Sequence, residues 1–344
     1  MKALKLILIG FLFILPTLVC AQVINKIVVF GDSLSDNGNL YRVDQHLLPQ
    51  APPYWEGRFS DGKVWVEYLT QSLGLDPSTQ LVDHAYGGAW AEGSSASKQF
   101  FPWSVGSQVD FYLANILTGK NSTADNAGTL YIIFIGSNDY LTRAVTAPSD
   151  IDTDTTAVIN VIQEQVYKLI LLADAKNFLF VGVPDFNLTP FGREMGPAYG
   201  ENLHDFAVMH NQKLTTLVQQ LQSTFASNKF MLLEINETFQ EAINFPKKFG
   251  LTNVTAPCDP GGIDPGPVAL QPLQPAMSSL VSVINQNPVL RIANNAAYYQ
   301  QQYEAAVCTN QNQYLFWDYV HPTTAMHQII GQIAYSLLQA NGFS

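Results

Sequence analysis

The sequence is poor in charged residues and has no basic patch. Charged residues make up 13% of the 344, and the formal net charge is −11. Lysine and arginine total only 17 and form no cluster along the chain. Because nucleic-acid binding requires basic residues that neutralise phosphates, the composition argues against that function class. It also argues against electrostatic attraction to an anionic membrane, though not against the burial of apolar side chains in one.

Long apolar runs are also scarce, and the longest lies at the N-terminus. Two lysines precede the apolar residues 6–18, and Val19-Cys20-Ala21 fits the small-residue pattern of a cleavage site. We predict a signal peptide at residues 1–21, a mature chain that begins near Gln22, and secretion to the periplasm or the extracellular space. An uncleaved membrane anchor is disfavoured because the run is short and contains a proline. Lipidation of Cys20 is disfavoured because Val19 is larger than the usual preceding residue.

Cysteine is rare, with three in the whole chain. Cleavage near Ala21 removes Cys20 and leaves Cys258 and Cys308. Two cysteines in an exported chain are most simply explained by a disulfide. Metal binding by two isolated cysteines is not expected, and no cofactor-binding motif stands out.

The remaining sequence alternates short apolar runs with longer helical patterns. This alternation is typical of a parallel sheet covered by helices on both faces. We therefore predict one α/β domain over residues 22–344. A stretch at about 245–313, rich in Pro, Asn, Gln and Gly, breaks the pattern and is interpreted as an excursion from the core. The predicted strands are residues 27–30, 81–83, 130–135, 178–183, 230–233 and 314–317.

Polar, glycine-containing turns follow three of these strands. They are Gly31-Asp32-Ser33, Gly87-Gly88 and Gly136-Ser137-Asn138-Asp139. Open α/β sheets carry their chemistry at the carboxyl ends of the strands, so these turns are expected to meet at one edge. Taken alone, Gly-Asp-Ser is equally consistent with a strand followed by an ordinary helix cap.

The last predicted strand leads into Asp318-Tyr319-Val320-His321. A serine nucleophile needs a base, an orienting acid and donors for the oxyanion. This spacing predicts Ser33 as nucleophile, His321 as base and Asp318 as acid. The oxyanion donors would be the Ser33 and Gly88 backbone N–H groups and the Asn138 amide.

These four sequence blocks, in this order, resemble the GDSL (SGNH) hydrolase family, whose invariant Ser, Gly, Asn and His fall on Ser33, Gly88, Asn138 and His321. The resemblance implies a flavodoxin-like three-layer α/β/α sandwich with a parallel sheet, the SGNH hydrolase fold. It spans nearly the whole mature chain. The Gly-x-Ser-x-Gly pattern is absent, which disfavours the standard α/β-hydrolase fold.

A narrower resemblance is to bacterial secreted lysophospholipases and glycerophospholipid–cholesterol acyltransferases. It implies hydrolysis of acyl esters of lysophospholipids or phospholipids, with cholesterol as an acyl acceptor in some members, and no cofactor. It also implies a disulfide near the C-terminus, matching Cys258 and Cys308, around a loop that an activating protease cuts in some relatives. The motifs that carry it are Pro52-Pro53-Tyr54-Trp55-Glu56-Gly57-Arg58-Phe59-Ser60-Asp61-Gly62, Gly136-Ser137-Asn138-Asp139-Tyr140 and Phe316-Trp317-Asp318-Tyr319-Val320-His321-Pro322-Thr323-Thr324.

Two proline-flanked loops carry aromatic side chains: Tyr54, Trp55, Phe100, Phe101 and Trp103. Any of them could belong to the core, but their loop positions make them candidates for an acyl groove or transient contact with a lipid surface. Two other functions stay open. One is a carbohydrate acetylesterase on the same scaffold, which the apolar 100–103 loop disfavours. The other is a non-catalytic binding module, which would be expected to lack at least one catalytic-type residue.

Overall fold

The computed structural model describes residues 22–92, 104–119, 126–146, 150–262 and 307–344. The predicted signal peptide at residues 1–21 therefore lies outside the described residues. So do Phe100, Phe101 and Trp103, and the middle of the predicted excursion. No helix within the described ranges combines the length and the apolar character needed to cross a membrane.

The centre of the molecule is a five-stranded parallel sheet with the strand order β2-β1-β3-β4-β5. Its near-continuous apolar strands are buried on both faces, as a covered parallel sheet requires. The chain passes from β1 to β2 on one side and then to β3 on the other. The carboxyl end of β1 is thus a switch point of the sheet, where α/β folds place ligands. The strands are β1 (Lys26–Gly31), β2 (Leu81–Asp83), β3 (Thr129–Phe134), β4 (Asn177–Val181) and β5 (Lys229–Leu233).

Helices cover both faces of this sheet, which confirms the predicted three-layer α/β/α sandwich. Alternate residues of β1 point to opposite layers: Ile27 and Val29 pack with α2, α8 and α9, whereas Val28 and Phe30 pack with α3, α5 and α7. The helices are α1 (Asn39–Val43), α2 (Trp65–Ser72), α3 (Val105–Leu117), α4 (Ser137–Thr146), α5 (Ile151–Ala173), α6 (Pro190–Glu194), α7 (Pro197–Thr224), α8 (Ile235–Asn244) and α9 (Thr324–Ala340).

The last strand lies outside the central sheet. Strand β7 (Tyr314–Phe316) pairs in parallel with β6 (Asn253–Pro257), which falls within the predicted excursion. Leu315 and Phe316 are buried in the same core layer as α9, so the apolar run does return to the core. An apolar run reports burial but does not specify a pairing partner, so the second sheet was not predictable from the pattern.

A disulfide joins Cys258 and Cys308, which are 50 residues apart, as predicted. The Cys308 backbone N–H donates to the Cys258 carbonyl at 2.8 Å. Beside it, the Asp259 N–H donates to the Trp317 carbonyl at 2.7 Å. The two parts of the excursion that carry the cysteines are therefore held together, next to the turn that contains Asp318.

Candidate active site

Ser33 lies directly after β1, in a tight turn at the carboxyl edge of the sheet. The Leu34 backbone N–H donates to Asp32 Oδ1 at 3.0 Å, which closes the turn around the serine. Gln108 of α3 holds the strand end by bonding both the N–H and the carbonyl of Gly31, at 2.9 and 2.8 Å. A Cβ at Gly31 would lie 2.6 Å from the Phe134 carbonyl oxygen, so only glycine permits this close approach of β1 to β3.

Ser33, His321 and Asp318 form one continuous chain of hydrogen bonds. Ser33 Oγ lies 2.8 Å from His321 Nε2, and His321 Nδ1 lies 2.7 Å from Asp318 Oδ2. The Val320 and His321 backbone N–H groups donate to Asp318 Oδ1 at 2.9 and 2.7 Å, which fixes the carboxylate within its own turn. Asp318 is fully buried, whereas Ser33 keeps 8% exposure. The arrangement can activate a hydroxyl for nucleophilic attack.

Tyr54 supplies a further donor to the same carboxylate. Its hydroxyl donates to Asp318 Oδ2 at 2.6 Å. The side chain is buried, with its ring edge-on to Phe59 and Trp317. Both the ring and the hydroxyl are thus engaged inside the protein, and contact of Tyr54 with acyl chains or lipid stays a prediction. The neighbouring Trp55 is half-buried, with the Arg58 guanidinium 4.6 Å from its ring centroid.

The turn that contains Gly88 is held close to Ser33 by Asp36. This buried carboxylate accepts from the Gly87 N–H at 2.7 Å and from the Gly38 N–H at 2.8 Å, joining the turn to the start of α1. Burial raises the pKa of Asp36 to about 6. Gly88 has a φ of 75°, in the left-handed region that favours glycine.

Asn138 lies in the first turn of α4 and is bonded to the segment after Gly88. Its Nδ2 donates to the Ala89 carbonyl at 3.0 Å. The next residue, Asp139, accepts from the Ala91 and Glu92 N–H groups at 2.8 and 3.1 Å. Helix α4 and the Gly88 turn therefore form one hydrogen-bonded unit at the sheet edge. Gly88 and Asn138, two of the three predicted oxyanion donors, belong to that unit.

Two further carboxyl groups near the site were not singled out as functional from the sequence. Burial raises the pKa of Asp32, next to Ser33, to about 7. Burial, together with the charge of Asp318, raises the pKa of Asp259 to about 6. The sequence holds a signal for Asp36, because Asp-Asn-Gly is typical of a turn in which the carboxylate bonds following N–H groups. Asp259 has a similar signal in Asp-Pro-Gly, and its carboxylate accepts from the Gly261 N–H at 3.2 Å, whereas no local signal marks Gln108.

The chain matches one family model and is similar in sequence to several known proteins, three of which are described below. The model described as GDSL-like Lipase/Acylhydrolase matches residues 27–334, a span that includes every residue of the site. Phosphatidylcholine-sterol acyltransferase of Aeromonas hydrophila is 30% identical over 321 residues, covering 92% of this chain and 90% of that protein. Thermolabile hemolysin of Vibrio parahaemolyticus is 25% identical over 311 residues, covering 90% and 62%. Secreted effector protein SseJ of Salmonella typhimurium is 28% identical over 230 residues, covering 66% and 51%.

Proposed function

Because this chain belongs to the GDSL-like lipase/acylhydrolase family, we propose that its ester-hydrolase chemistry is carried out by Ser33, His321 and Asp318. One observation carries the assignment: the unbroken hydrogen-bonded chain from Ser33 Oγ through the imidazole to the buried carboxylate. A hydroxyl, an imidazole and a carboxylate in this order are the parts that nucleophilic acyl transfer requires.

In the proposed mechanism, Ser33 Oγ attacks the carbonyl carbon of the ester, and His321 Nε2 accepts the serine proton. Asp318 holds the Nδ1–H and stabilises the imidazolium that forms. The Ser33 and Gly88 backbone N–H groups and the Asn138 amide donate to the developing oxyanion. His321 then returns the proton to the departing alcohol, which leaves an acyl group on Ser33. Water, or another hydroxyl compound, gives its proton to His321 and attacks the acyl carbon. The bond from Ser33 Oγ to that carbon then breaks, the acid or new ester leaves, and His321 returns the proton to Ser33 Oγ.

The proposed substrates are acyl esters of lysophospholipids and phospholipids, with cholesterol as an alternative acceptor of the acyl group. Support comes from the match to a phosphatidylcholine-sterol acyltransferase over most of both chains. Under this proposal the protein is secreted after removal of residues 1–21 and contacts lipid surfaces transiently. A protease that cuts between Cys258 and Cys308 is proposed as an activator.

The nucleophile is tested with Ser33→Ala. Hydrolysis of a soluble p-nitrophenyl ester should fall by at least about 10⁴-fold, because the attacking atom is missing. A fluorophosphonate should label the Ser33 peptide of the wild-type protein. Ser35→Ala is the matched control, since the Ser35 hydroxyl accepts from Trp65 Nε1 at 3.1 Å instead of facing His321. Full activity of Ser33→Ala would refute the assignment.

The substrate class is tested by product analysis. The purified protein is incubated with lysophosphatidylcholine, diacylphosphatidylcholine or an acetylated oligosaccharide, with and without cholesterol, before and after limited proteolysis between Cys258 and Cys308. Release of fatty acid or formation of cholesteryl ester supports the lipid proposal, whereas preferential release of acetate favours the carbohydrate alternative. Unchanged rates after cleavage would refute the proposal that a protease activates the protein.

A further inference from the structure

A single segment of the chain, residues 54–68, runs along the turn that carries Asp318 and His321. We call it the clamp segment. Its contacts continue past the catalytic turn into the start of α9, so the turn is held along its whole length. The contacts are Tyr54 Oη to Asp318 Oδ2 (2.6 Å), the Phe59 ring to the His321 ring (5.1 Å between centroids), Ser60 Oγ to the Pro322 carbonyl (2.9 Å), the Thr324 N–H to Asp61 Oδ1 (2.7 Å), Thr324 Oγ1 to the Lys63 carbonyl (2.9 Å), Tyr68 Oη to Thr324 Oγ1 (2.8 Å) and the Trp65 N–H to His327 Nδ1 (3.3 Å).

We propose that Tyr54 is a positioning residue of the catalytic triad, whose hydroxyl holds the Asp318 carboxylate in the orientation that aligns His321 with Ser33. This inference rests on the proposed function of these three residues. The inference adds a fourth group behind the triad, supplied by a loop that is far from Asp318 in sequence.

The hydroxyl completes the hydrogen bonding of a buried anion. Asp318 Oδ1 accepts two backbone N–H groups, and Oδ2 faces both His321 Nδ1 and Tyr54 Oη. A carboxylate without water needs such donors, because an under-bonded buried charge is costly. Without the Tyr54 hydroxyl, Oδ2 would keep only the imidazole as a partner. The charge of the nearby Asp259 carboxyl also acts on Asp318, so the donors to this carboxylate matter more.

The surroundings of Tyr54 are built to leave room for this bond. A Cβ at Gly262 would lie 2.8 Å from Tyr54 Oη and 2.7 Å from Asp318 Cβ. Glycine at this position therefore lets the hydroxyl reach the carboxylate. The loop around Tyr54 is also rigid: the Trp55 N–H donates to the Ser60 carbonyl at 2.9 Å, and Arg58 bonds Glu67 at 2.8 Å.

The competing explanation is that Tyr54 only fills space, because its ring packs edge-on against Phe59 and Trp317. Tyr54→Phe separates the two roles, since it keeps the ring and removes only the hydroxyl. Tyr112→Phe is the matched control. Tyr112 is also buried, its hydroxyl lies 3.1 Å from Tyr131 Oη, and it belongs to a different core cluster from Tyr54.

The experiment measures kcat and KM for a soluble p-nitrophenyl ester across the pH range, with urea unfolding of each variant. Tyr54→Phe should lower kcat about tenfold with little change in KM, because a hydrogen bond to a charged group is lost behind the reacting atoms. The acid limb of kcat/KM should move to higher pH by about half a unit. Without the hydroxyl, Oδ2 carries more negative charge, and this charge keeps the imidazole protonated up to a higher pH. Tyr112→Phe should change neither kcat nor the acid limb of kcat/KM.

The pH profile is compared between variants because several groups act on this imidazole. Asp318 and Tyr54 face it directly or through the carboxylate, and Asp32 and His327 interact with it electrostatically. Asp259 acts on it through Asp318. All of these except Tyr54 are common to the wild type and Tyr54→Phe, so the shift of the acid limb reports the missing hydroxyl.

Gly262→Ala is a harsher variant, because its methyl group would meet both the Tyr54 hydroxyl and the Asp318 side chain. Its fall in kcat should be at least as large as that of Tyr54→Phe. The inference is overturned if Tyr54→Phe folds, stays within twofold of the wild-type kcat and keeps the same acid limb while Ser33→Ala is inactive. If the wild-type protein neither hydrolyses the ester nor reacts with a fluorophosphonate at Ser33, the proposed function fails and the inference fails with it.

Discussion

At the residue scale, Asp32 is the group whose ionisation is most altered beside the nucleophile. It is fully buried, and burial raises its pKa to about 7. In the unfolded chain an aspartate loses its proton near pH 4. Between these two values the folded protein keeps a proton that the unfolded chain has released. This single group therefore makes the folded state less stable as the pH rises from about 4 to 7.

Asp32→Asn should reveal this dependence, because asparagine does not titrate. The free energy of unfolding of the variant, relative to that of the wild type, should increase with pH from about 4 to 7 by up to about 1.4 kcal/mol per pH unit, then level off. Urea unfolding of both proteins at several pH values gives this difference. A difference that is constant with pH would show that Asp32 is ionised in the folded protein over this range.

At the scale of elements, a mostly buried ion pair within the clamp segment joins its loop to the start of helix α2. Glu67, in the first turn of α2, accepts from the Val64 N–H at 3.0 Å and from Arg58 Nη2 at 2.8 Å. The side chains of Arg58 and Glu67 keep 14% and 6% of their exposure. The pair fixes the loop between Tyr54 and α2, so it supports the position of the Tyr54 hydroxyl.

Removing Arg58 should leave the Glu67 carboxylate without its cationic partner and with little access to water, and removing Glu67 should leave Arg58 only its longer pair with Glu56 at 3.5 Å. Arg58→Ala and Glu67→Ala are each expected to lower the free energy of unfolding by about 3 kcal/mol, and the double variant by less than the sum. Urea unfolding of the four proteins measures this coupling. The Glu164–Lys168 pair on α5 is the exposed control, with side-chain exposures of 62% and 31%, and should show a coupling below about 0.5 kcal/mol. Equal coupling in the two pairs would contradict the prediction.

At the scale of the whole molecule, one covalent cross-link joins two distant parts of the excursion. The Cys258–Cys308 disulfide closes a loop over a sequence separation of 50 residues. Next to it, the Cys258 and Asp259 N–H groups donate to the Phe316 and Trp317 carbonyls at 3.1 and 2.7 Å. The cross-link and these two bonds therefore hold both cysteines next to the Asp318 turn.

Replacing both cysteines by alanine should lower the free energy of unfolding by roughly 4 kcal/mol, because the unfolded chain regains the entropy of an open loop. The two core layers on the central sheet do not depend on the disulfide, so the variant should still fold. Urea unfolding measures the change, and wild-type protein in dithiothreitol should show a similar loss. A double variant as stable as the oxidised wild type would refute this role of the cross-link.

The sequence by itself predicted the three-layer fold and the position of the Ser33, Gly88 and Asn138 turns after strands of its central sheet. Asp318 and His321 follow β7, outside that sheet, so only the tertiary structure decided their approach to Ser33. Buried parallel strands require nearly continuous apolar runs, and turns at their ends require glycine and small polar residues. Both are local signals. The parallel direction of the strands then brings their carboxyl ends together, whatever the distance along the chain.

Only the tertiary structure decided the hydrogen-bond partner of Tyr54 and the pairing of β6 with β7. Tyr54 and Asp318 are 264 residues apart, and a proline-flanked aromatic residue has the same local pattern whether it faces lipid or a buried carboxylate. An apolar run similarly specifies burial without specifying its neighbour. The partner of a side chain depends on the packing of segments that are distant in sequence. For this reason the bond between the Tyr54 hydroxyl and Asp318 could not be predicted from the local sequence.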